Sequence, residues 1–232
     1  MEYTLSPLGD QAVVIEVDCD ISIEAQDKVL AVSARLEEEA PEWMVEVVPA
    51  YTSVTVFYRL GVFVEGNPYA EVCKRIHEIL AGVEASRAGS PKTVRIPVLY
   101  GGEWGPDLEF VAQHNGCTPE EVISIHSSGE YLVHMIGFAP GFPFVGGMSE
   151  KIAAPRRKTP RLRIPARTVG IAGKQTGVYP IETPGGWQLI GRTPLELFLP
   201  EQDPPSLLAA GDRIEFYPIS QKEYEELRGG RP

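Results

Sequence analysis

The dense run of prolines and glycines between residues 140 and 200 most limits what this chain can fold into. The segment carries nine of each. Proline removes a backbone donor and fixes φ, and an interior glycine costs a helix about 1 kcal/mol relative to alanine, so long helices are excluded here. Short β-prone pieces occur in this half of the chain at 93–98, 131–136, 169–172, 187–190, 195–199 and 213–217. Short strands joined by rigid loops predict an all-β domain, a closed or nearly closed barrel.

The first 88 residues follow a different pattern, in which strand and helix signals alternate. Strands are predicted at 11–17, 46–48 and 53–58. Ser22 is a suitable N-cap for a helix to Ala40, and Asn67 followed by Pro68 begins a second helix. This order predicts an α+β sandwich. The expected domains are residues 1–88 (α+β), residues 89–220 (barrel) and residues 221–232 (a short tail), with a linker at 85–92.

Charge is distributed very unevenly along the chain. The net charge is −11, yet residues 151–192 carry nine Lys or Arg side chains against Glu182 alone, a local +8 that leaves −19 for the rest. Two short helices are predicted at 108–114 and from Pro119, behind a Thr118–Glu121 capping box. Residues 96–150 contain no Lys or Arg. A DNA-reading helix pair is therefore excluded there, because it needs cations for the phosphates.

Several other classes are excluded by motifs that the sequence lacks. The string GIAGKQTG at 170–177 has neither the spacing nor the Ser/Thr of a P-loop. There is no nucleophile elbow and no HExxH helix, and the three scattered cysteines form neither a disulfide framework nor a metal clip. No secretory signal and no apolar run of about 18 residues is found, so we expect a cytoplasmic protein.

Two clusters of glycine, proline and aromatic residues flank the basic strip, GFAPGFPF at 137–144 and TPGGWQ at 183–188. The first is either a barrel corner packed by aromatics or one wall of a small-molecule pocket; we favour a concave site with apolar walls and cationic groups. No nucleophile, general base or metal ligand is identified. The candidate substrate-binding residues are His134, Phe138, Pro140, Phe142, Arg156, Arg161, Lys174, Gln175, Thr176, Tyr179, Trp187 and Arg192.

Three segments carry a family resemblance: PLGDQAVVIEV (7–17), GFAPGFPFVGGM (137–148) and the long block PRRKTPRLRIPARTVGIAGKQTGVYPIETPGGWQLIGRTPLELF (155–198). They resemble allophanate hydrolase subunit 1, the carboxyltransferase-domain family. The resemblance covers nearly the whole chain. It implies an N-terminal α+β domain joined to a cyclophilin-like β-barrel.

The resemblance also implies a function, because the family includes the B subunit of bacterial 5-oxoprolinase. That complex would pair this chain with a homologous C subunit (allophanate hydrolase subunit 2-like) and with the lactam-utilisation protein that forms its A subunit. It would use ATP with Mg²⁺ to open 5-oxo-L-proline to L-glutamate. The cations of the strip would bind the substrate carboxylate and the phosphate. Two alternatives stay open: an inhibitor of a sensor histidine kinase, and a carboxyltransferase component that acts on urea or a similar amide with a separate biotin protein.

Overall fold

The computed structural model describes residues 1–64, 66–84 and 92–229. The chain divides into two compact units, residues 1–90 and 91–232. Apart from Lys92, the predicted linker lies outside the described residues. None of the helices in the described ranges is both long and apolar enough to cross a membrane.

The first unit is a four-stranded antiparallel sheet with two helices. Its strand order is β1-β2-β4-β3. Ser22 and Asn67 both cap as predicted, Ser22 accepting a hydrogen bond from the Ala25 amide and Asn67 from two amides of its own helix. The elements are β1 (Thr4–Pro7), β2 (Ala12–Glu16), α1 (Ile23–Glu39), β3 (Met44–Pro49), β4 (Ser53–Tyr58), a 3-10 turn (Leu60–Val62) and α2 (Pro68–Ile79).

The sequence prediction missed strand β1. This strand pairs only with β2, at the edge of the sheet, and its residues are half-buried or exposed. An edge strand lacks the strict alternation of buried and exposed residues that marks a central strand, so its pattern is weak. The turn predicted at residues 7–10 connects β1 to β2.

The second unit is built around a closed seven-stranded barrel, which confirms the predicted β-barrel. The strands are β5 (Thr93–Tyr100), β6 (Tyr131–Ile136), β7 (Pro143–Gly146), β8 (Arg161–Ile164), β9 (Thr168–Ala172), β10 (Gln175–Val178), β11 (Thr183–Gly185), β12 (Gln188–Arg192) and β13 (Arg213–Pro218). The barrel order is β10-β7-β6-β13-β5-β12-β9, and β8 and β11 form a separate two-stranded sheet. All neighbours are antiparallel except β5 and β13, which run parallel.

Helices accompany the barrel. They are α3 (Leu108–Asn115), α4 (Pro119–Ser127), a 3-10 turn (Glu150–Ile152) and α5 (Gln221–Gly229). The predicted capping box at the start of α4 is present in both directions. Residues 221–229, expected in a short tail, form α5, whose buried Tyr224 packs against Trp104 with ring centroids 5.2 Å apart.

Two predictions in the second unit need correction. The glycine/proline/aromatic segment at 137–144, which was not expected to contain a strand, includes the start of β7. Conversely, the strand expected at 195–199 makes only an isolated bridge, from Phe198 to Ser206. Proline stands on either side of that piece, at 194 and 200, and proline cannot donate to a strand ladder.

Candidate functional site

Three rings, which we call the aromatic cluster, lie together in the second unit: Phe142, Tyr179 and Trp187. Their centroids are 5.7 to 6.1 Å apart, and their planes cross at 67° to 85°. All three are buried, in a hydrophobic core separate from the main core of the barrel. Phe138 extends the cluster outward; its ring lies 5.5 Å from that of Phe142, and its side chain is 74% exposed. Both glycine/proline/aromatic segments noted in the sequence, at 137–144 and 183–188, therefore contribute to one cluster of rings, of which Phe138 is the exposed member.

Glycines make the room in which the aromatic cluster lies. Gly170 on β9 and Gly177 on β10 are register partners. A Cβ at Gly170 would come within 3.3 Å of the Trp187 Cβ, and one at Gly177 within 3.2 Å of the indole and 3.4 Å of the Phe142 ring. Both contacts are tighter than ordinary van der Waals separation, so a side chain at either position would push the rings away.

The Tyr179 hydroxyl is the polar group of the aromatic cluster. Burial raises the pKa of Tyr179 to about 12, against smaller opposing effects from Arg156, the Trp187 backbone N–H and Arg161. The phenol is therefore protonated at neutral pH and can donate a hydrogen bond. Two guanidinium groups lie close enough to it to influence its ionisation. Donors thus converge beside packed aromatic rings, which is the composition of a site for an anionic or carbonyl-bearing ligand.

Asp107, which is not among the predicted residues, pairs with two cations of the basic strip, Arg161 and Arg157. Its carboxylate is buried; Oδ1 accepts from Arg161 Nη2 at 2.8 Å and from Arg157 Nη1 at 3.3 Å. Oδ2 accepts from the Leu189 amide at 2.7 Å. The partners are 50 to 82 positions away along the chain. This role could therefore not be predicted from a local sequence pattern, which shows only an acidic residue directly before α3.

Hydrogen bonds hold the segment that carries Arg156 against the second turn. The Arg157 amide donates to the Gly186 carbonyl at 2.7 Å, and Gln188 Nε2 donates to the Pro155 carbonyl at 2.8 Å. Arg156 itself is exposed and makes no hydrogen bond or ion pair with a residue in the described ranges. A cation is thus presented at the rim of the aromatic cluster while its backbone is fixed on both sides.

Six of the twelve predicted residues come together. They are Phe138, Phe142, Arg156, Arg161, Tyr179 and Trp187. Pro140 is exposed in the loop between the first two, and Gln175 is half-buried at the start of β10.

The structure does not bring the other four to this group. Thr176 is fully buried and bonded to His126, and Lys174 is exposed in the β9–β10 turn, where it pairs with Glu150 at 2.6 Å. Arg192 lies at the opposite end of β12 from Trp187; it donates to the Ala166 carbonyl and covers the Trp104 ring at 5.2 Å. His134 lies on β6 with its imidazole close to Gly146, and burial lowers its pKa.

The second unit also has a separate open cavity of about 560 Å³. It lies between α3, α4 and the 3-10 turn at 150–152, and it contains none of the predicted residues. Its lining residues are Asn115, Cys117, Glu121, Ser124, Ile125 and Lys151. Across the described ranges, no three His, Cys, Asp or Glu side chains are grouped so that they could hold a metal ion.

Comparison with known proteins gives matches along almost the whole chain. The B subunit of 5-oxoprolinase from Bacillus subtilis is 50% identical over 98% of this chain and 98% of its own length. That of Escherichia coli O157:H7 is 43% identical over 93% and 95%. Among solved structures, a conserved uncharacterized protein from Pyrococcus horikoshii is 46% identical, with a TM-score of 0.56, over 95% of this chain and all of that one.

The family match covers both units of the fold. Residues 3–208 match the family described as carboxyltransferase domain, subdomain C and D. This range begins before β1 and ends after β12, and it includes the aromatic cluster, Asp107 and the basic strip. The resemblance noted from the motifs at 7–17, 137–148 and 155–198 is thereby confirmed, and the chain belongs to the carboxyltransferase-domain family.

Proposed function

We propose that this chain is the B subunit of an ATP-dependent 5-oxoprolinase complex, which opens 5-oxo-L-proline to L-glutamate. One observation carries the proposal: the 50% identity to a protein of that name extends over 98% of both chains. An end-to-end match of this kind includes both units and every residue of the candidate site. The aromatic cluster with its two arginines supports the proposal, because it offers an apolar surface and donors to a small anionic ring.

The proposal includes the rest of the complex. Its partners are a homologous C subunit (allophanate hydrolase subunit 2-like) and the lactam-utilisation protein that forms the A subunit. Its co-substrate is ATP with Mg²⁺, in the cytoplasm. We also assign the barrel to the cyclophilin-like class and treat residues 1–88 and 89–220 as domains. These finer assignments rest on the family resemblance.

The chemistry explains why such a site would hold cations. A lactam is a poor electrophile because attack on its carbonyl carbon ends amide resonance. Transfer of the γ-phosphoryl group of ATP to the lactam oxygen activates the carbonyl carbon and releases ADP. A first water adds to that carbon and the ring C–N bond breaks, which frees the amino group and leaves the acyl phosphate; a second water hydrolyses the acyl phosphate to glutamate and phosphate. Negative charge is carried by the carboxylate throughout and by the phosphoryl group after the transfer. Preorganised donors lower the energy of such charged species.

In this scheme the residues of this chain bind and orient. The aromatic cluster would pack the ring methylenes and exclude water, the protonated Tyr179 would donate a hydrogen bond, and Arg156 and Arg161 would attract the carboxylate. We assign no nucleophile or general base to this chain, so the proton transfers belong to the partner subunits.

Reconstitution tests the proposal. The purified chain is mixed with the A and C subunits, ATP, Mg²⁺ and 5-oxo-L-proline, and glutamate and ADP are measured together. We expect equal amounts of the two products, and no glutamate when this chain is left out. A mixture of all three subunits that forms no glutamate would contradict the proposal. Two further assays on the same preparation cover the alternatives: inhibition of histidine kinase autophosphorylation, and bicarbonate-dependent carboxylation with a biotin protein.

A further inference from the structure

Asp107 is in an unusual position for an acid at the start of a helix. It directly precedes α3, yet its side chain makes no capping hydrogen bond. Instead its backbone amide donates to the Leu189 carbonyl at 2.9 Å, while its Oδ2 accepts from the Leu189 amide at 2.7 Å. The carboxylate is thus fixed to β12 by a pair of hydrogen bonds. The oxygen that remains, Oδ1, points to guanidinium groups.

The two guanidinium groups share that single oxygen. Arg161 Nη2 is 2.8 Å from Asp107 Oδ1, and Arg157 Nη1 is 3.3 Å from the same atom. One carboxylate facing two cations leaves an uncompensated positive charge. Arg156, which makes no ion pair within the described ranges, adds to it, since both Arg156 and Arg161 act electrostatically on Tyr179. The local field therefore favours an anion.

Arg161 shows where such an anion would bind. Its Nη1 atom is buried and has no hydrogen-bond partner in the described part of the chain. A buried donor without an acceptor costs about 1–3 kcal/mol, and more when it is charged. Asp107 is already engaged through Nη2, so it cannot also satisfy Nη1 in this geometry. Arg161 Nη1 can therefore donate to one further acceptor. A carboxylate accepts a hydrogen bond from a guanidinium more strongly than a neutral group does.

We infer that Asp107 is a positioning residue that holds Arg161 ready for the carboxylate of a small anionic ligand. Resting on the proposed function, this inference identifies the acceptor as the carboxylate of 5-oxo-L-proline, with its ring against the aromatic cluster. Asp107 does not touch the ligand; it acts through Arg161.

Two variants separate positioning from simple stability. Asp107→Asn keeps the size of the side chain and an acceptor for the Leu189 amide but removes the charge that orients Arg161. Arg161→Lys keeps a cation but loses the planar fork. Arg163→Lys is the matched control, because Arg163 lies on the same strand and pairs with Glu182 at the surface, where its side chain is 78% exposed.

The experiment is a titration of the full chain, alone and with its partner subunits, with two lactams. One is 5-oxo-L-proline, and the other is pyrrolidinone, which has the same ring without the carboxylate. We expect Asp107→Asn and Arg161→Lys to weaken 5-oxo-L-proline binding about tenfold or more while pyrrolidinone binding stays unchanged. Arg163→Lys should change neither. Melting temperatures of all variants show whether each protein is folded.

Two results would overturn the inference: both variants bind 5-oxo-L-proline as tightly as the wild type, or both lose affinity for the two lactams equally. The second result would mean that Asp107 and Arg161 only support the shape of the site. The titration needs no turnover, so it is independent of the reconstitution. A wild-type chain that discriminates between the lactams but forms no glutamate with its partners would contradict the proposed function and leave the carboxylate subsite standing.

Discussion

Two polar clusters of the second unit, one around the buried His126 and one around the half-buried Arg161, differ in how fully their central side chain is hydrogen-bonded. His126 Nδ1 is 2.7 Å from the Tyr100 hydroxyl, and Nε2 is 2.8 Å from Thr176 Oγ1. Thr176 in turn donates to the Gly170 carbonyl at 3.1 Å. Arg161, by contrast, uses Nη2 and leaves Nη1 unpaired within the described ranges.

The hydrogen bonds of the first cluster fix the tautomer of His126. Because the Thr176 hydroxyl gives its proton to the Gly170 carbonyl, it accepts from His126, which therefore carries hydrogen on Nε2. Nδ1 is then the acceptor for the Tyr100 hydroxyl. The ring is neutral, and burial lowers the pKa of His126 to about 3. Every polar atom of the ring has its partner inside the protein.

A fully bonded cluster and a partly bonded one have different consequences for stability and for ligand binding. A buried network whose donors and acceptors are all paired rigidifies a core and has nothing left to offer a ligand. A network with one open donor is costly unless something else supplies the acceptor. We therefore assign His126 to the fold of the barrel and Arg161 to recognition. The two assignments predict that substitution of His126 mainly lowers stability and that substitution of Arg161 mainly lowers ligand affinity.

The largest effect expected is the loss of stability on removing the His126 ring. The ring is fully buried, and its centroid is 4.6 Å from that of Phe216. His126→Ala would leave a cavity, remove the acceptor of the Tyr100 hydroxyl and remove the donor to Thr176 Oγ1. We expect the free energy of unfolding of the second unit to fall by about 3–5 kcal/mol, measured by chemical denaturation.

His114→Ala is the matched control for that substitution. His114 lies exposed near the end of α3, where its ring stacks on Phe110, so its removal should change the free energy of unfolding by about 0.5 kcal/mol or less. Affinity for 5-oxo-L-proline, measured where His126→Ala is still folded, should stay near the wild-type value. A large drop in affinity without loss of stability would reverse the two assignments.

A smaller loss of stability is expected on lowering the pH, and it tests the assignment of His126 to the fold. The folded pKa of His126 lies far below the unfolded value near 6.5, so below pH 6.5 the unfolded state binds more protons. Stability is then fully present above 6.5 and is lost as pH falls from there toward about 3. Tyr100 and Tyr131 face the ring, but burial raises their pKa values, so neither titrates in this window.

Denaturation curves at successive pH values measure this loss. Over the first pH unit below 6.5 we expect the free energy of unfolding to fall by about 1 kcal/mol through His126 alone. His126→Gln should start from a lower stability but show that much less dependence on pH. Parallel curves for the two proteins would mean that folding does not shift the pKa of His126, which contradicts a buried, neutral ring held by Tyr100 and Thr176.

Local chemistry made part of this fold predictable. The starts of α1, α2 and α4 are indicated by their N-cap residues, Ser22, Asn67 and Thr118. A capping side chain bonds to amides only two or three positions away, so the signal is local. The glycine and proline density likewise predicted a barrel, since it excludes long helices whatever their partners are. These signals depend on neighbours in sequence and survive without knowledge of the tertiary structure.

The site was predictable by residue type but not by placement. Thr176 and Gln175 are adjacent on β10, so their side chains lie on opposite faces, and only the register decides which face enters the barrel. The register could not be predicted from the sequence, and Thr176 was therefore included among the candidate substrate-binding residues. Asp107 was missed because its role depends on Leu189 and Arg161, which only the tertiary structure of the second unit brings to it.

The smallest effect is expected at Lys174. This residue belongs to the basic strip in sequence but lies outside the group of site residues in the fold. Its ammonium pairs with Glu150, and both side chains are about 70% exposed. An exposed ion pair contributes about 0.5 kcal/mol or less. Lys174→Ala should therefore leave stability nearly unchanged and alter the affinity for 5-oxo-L-proline by less than about twofold, against the tenfold loss expected for Arg161→Lys. The same titration measures both variants.

An equal loss of affinity for the two variants would mean that the ligand site extends to the β9–β10 turn. A cation that already has an exposed carboxylate partner would then also bind the ligand. The contrast between paired and open donors would then no longer identify the site.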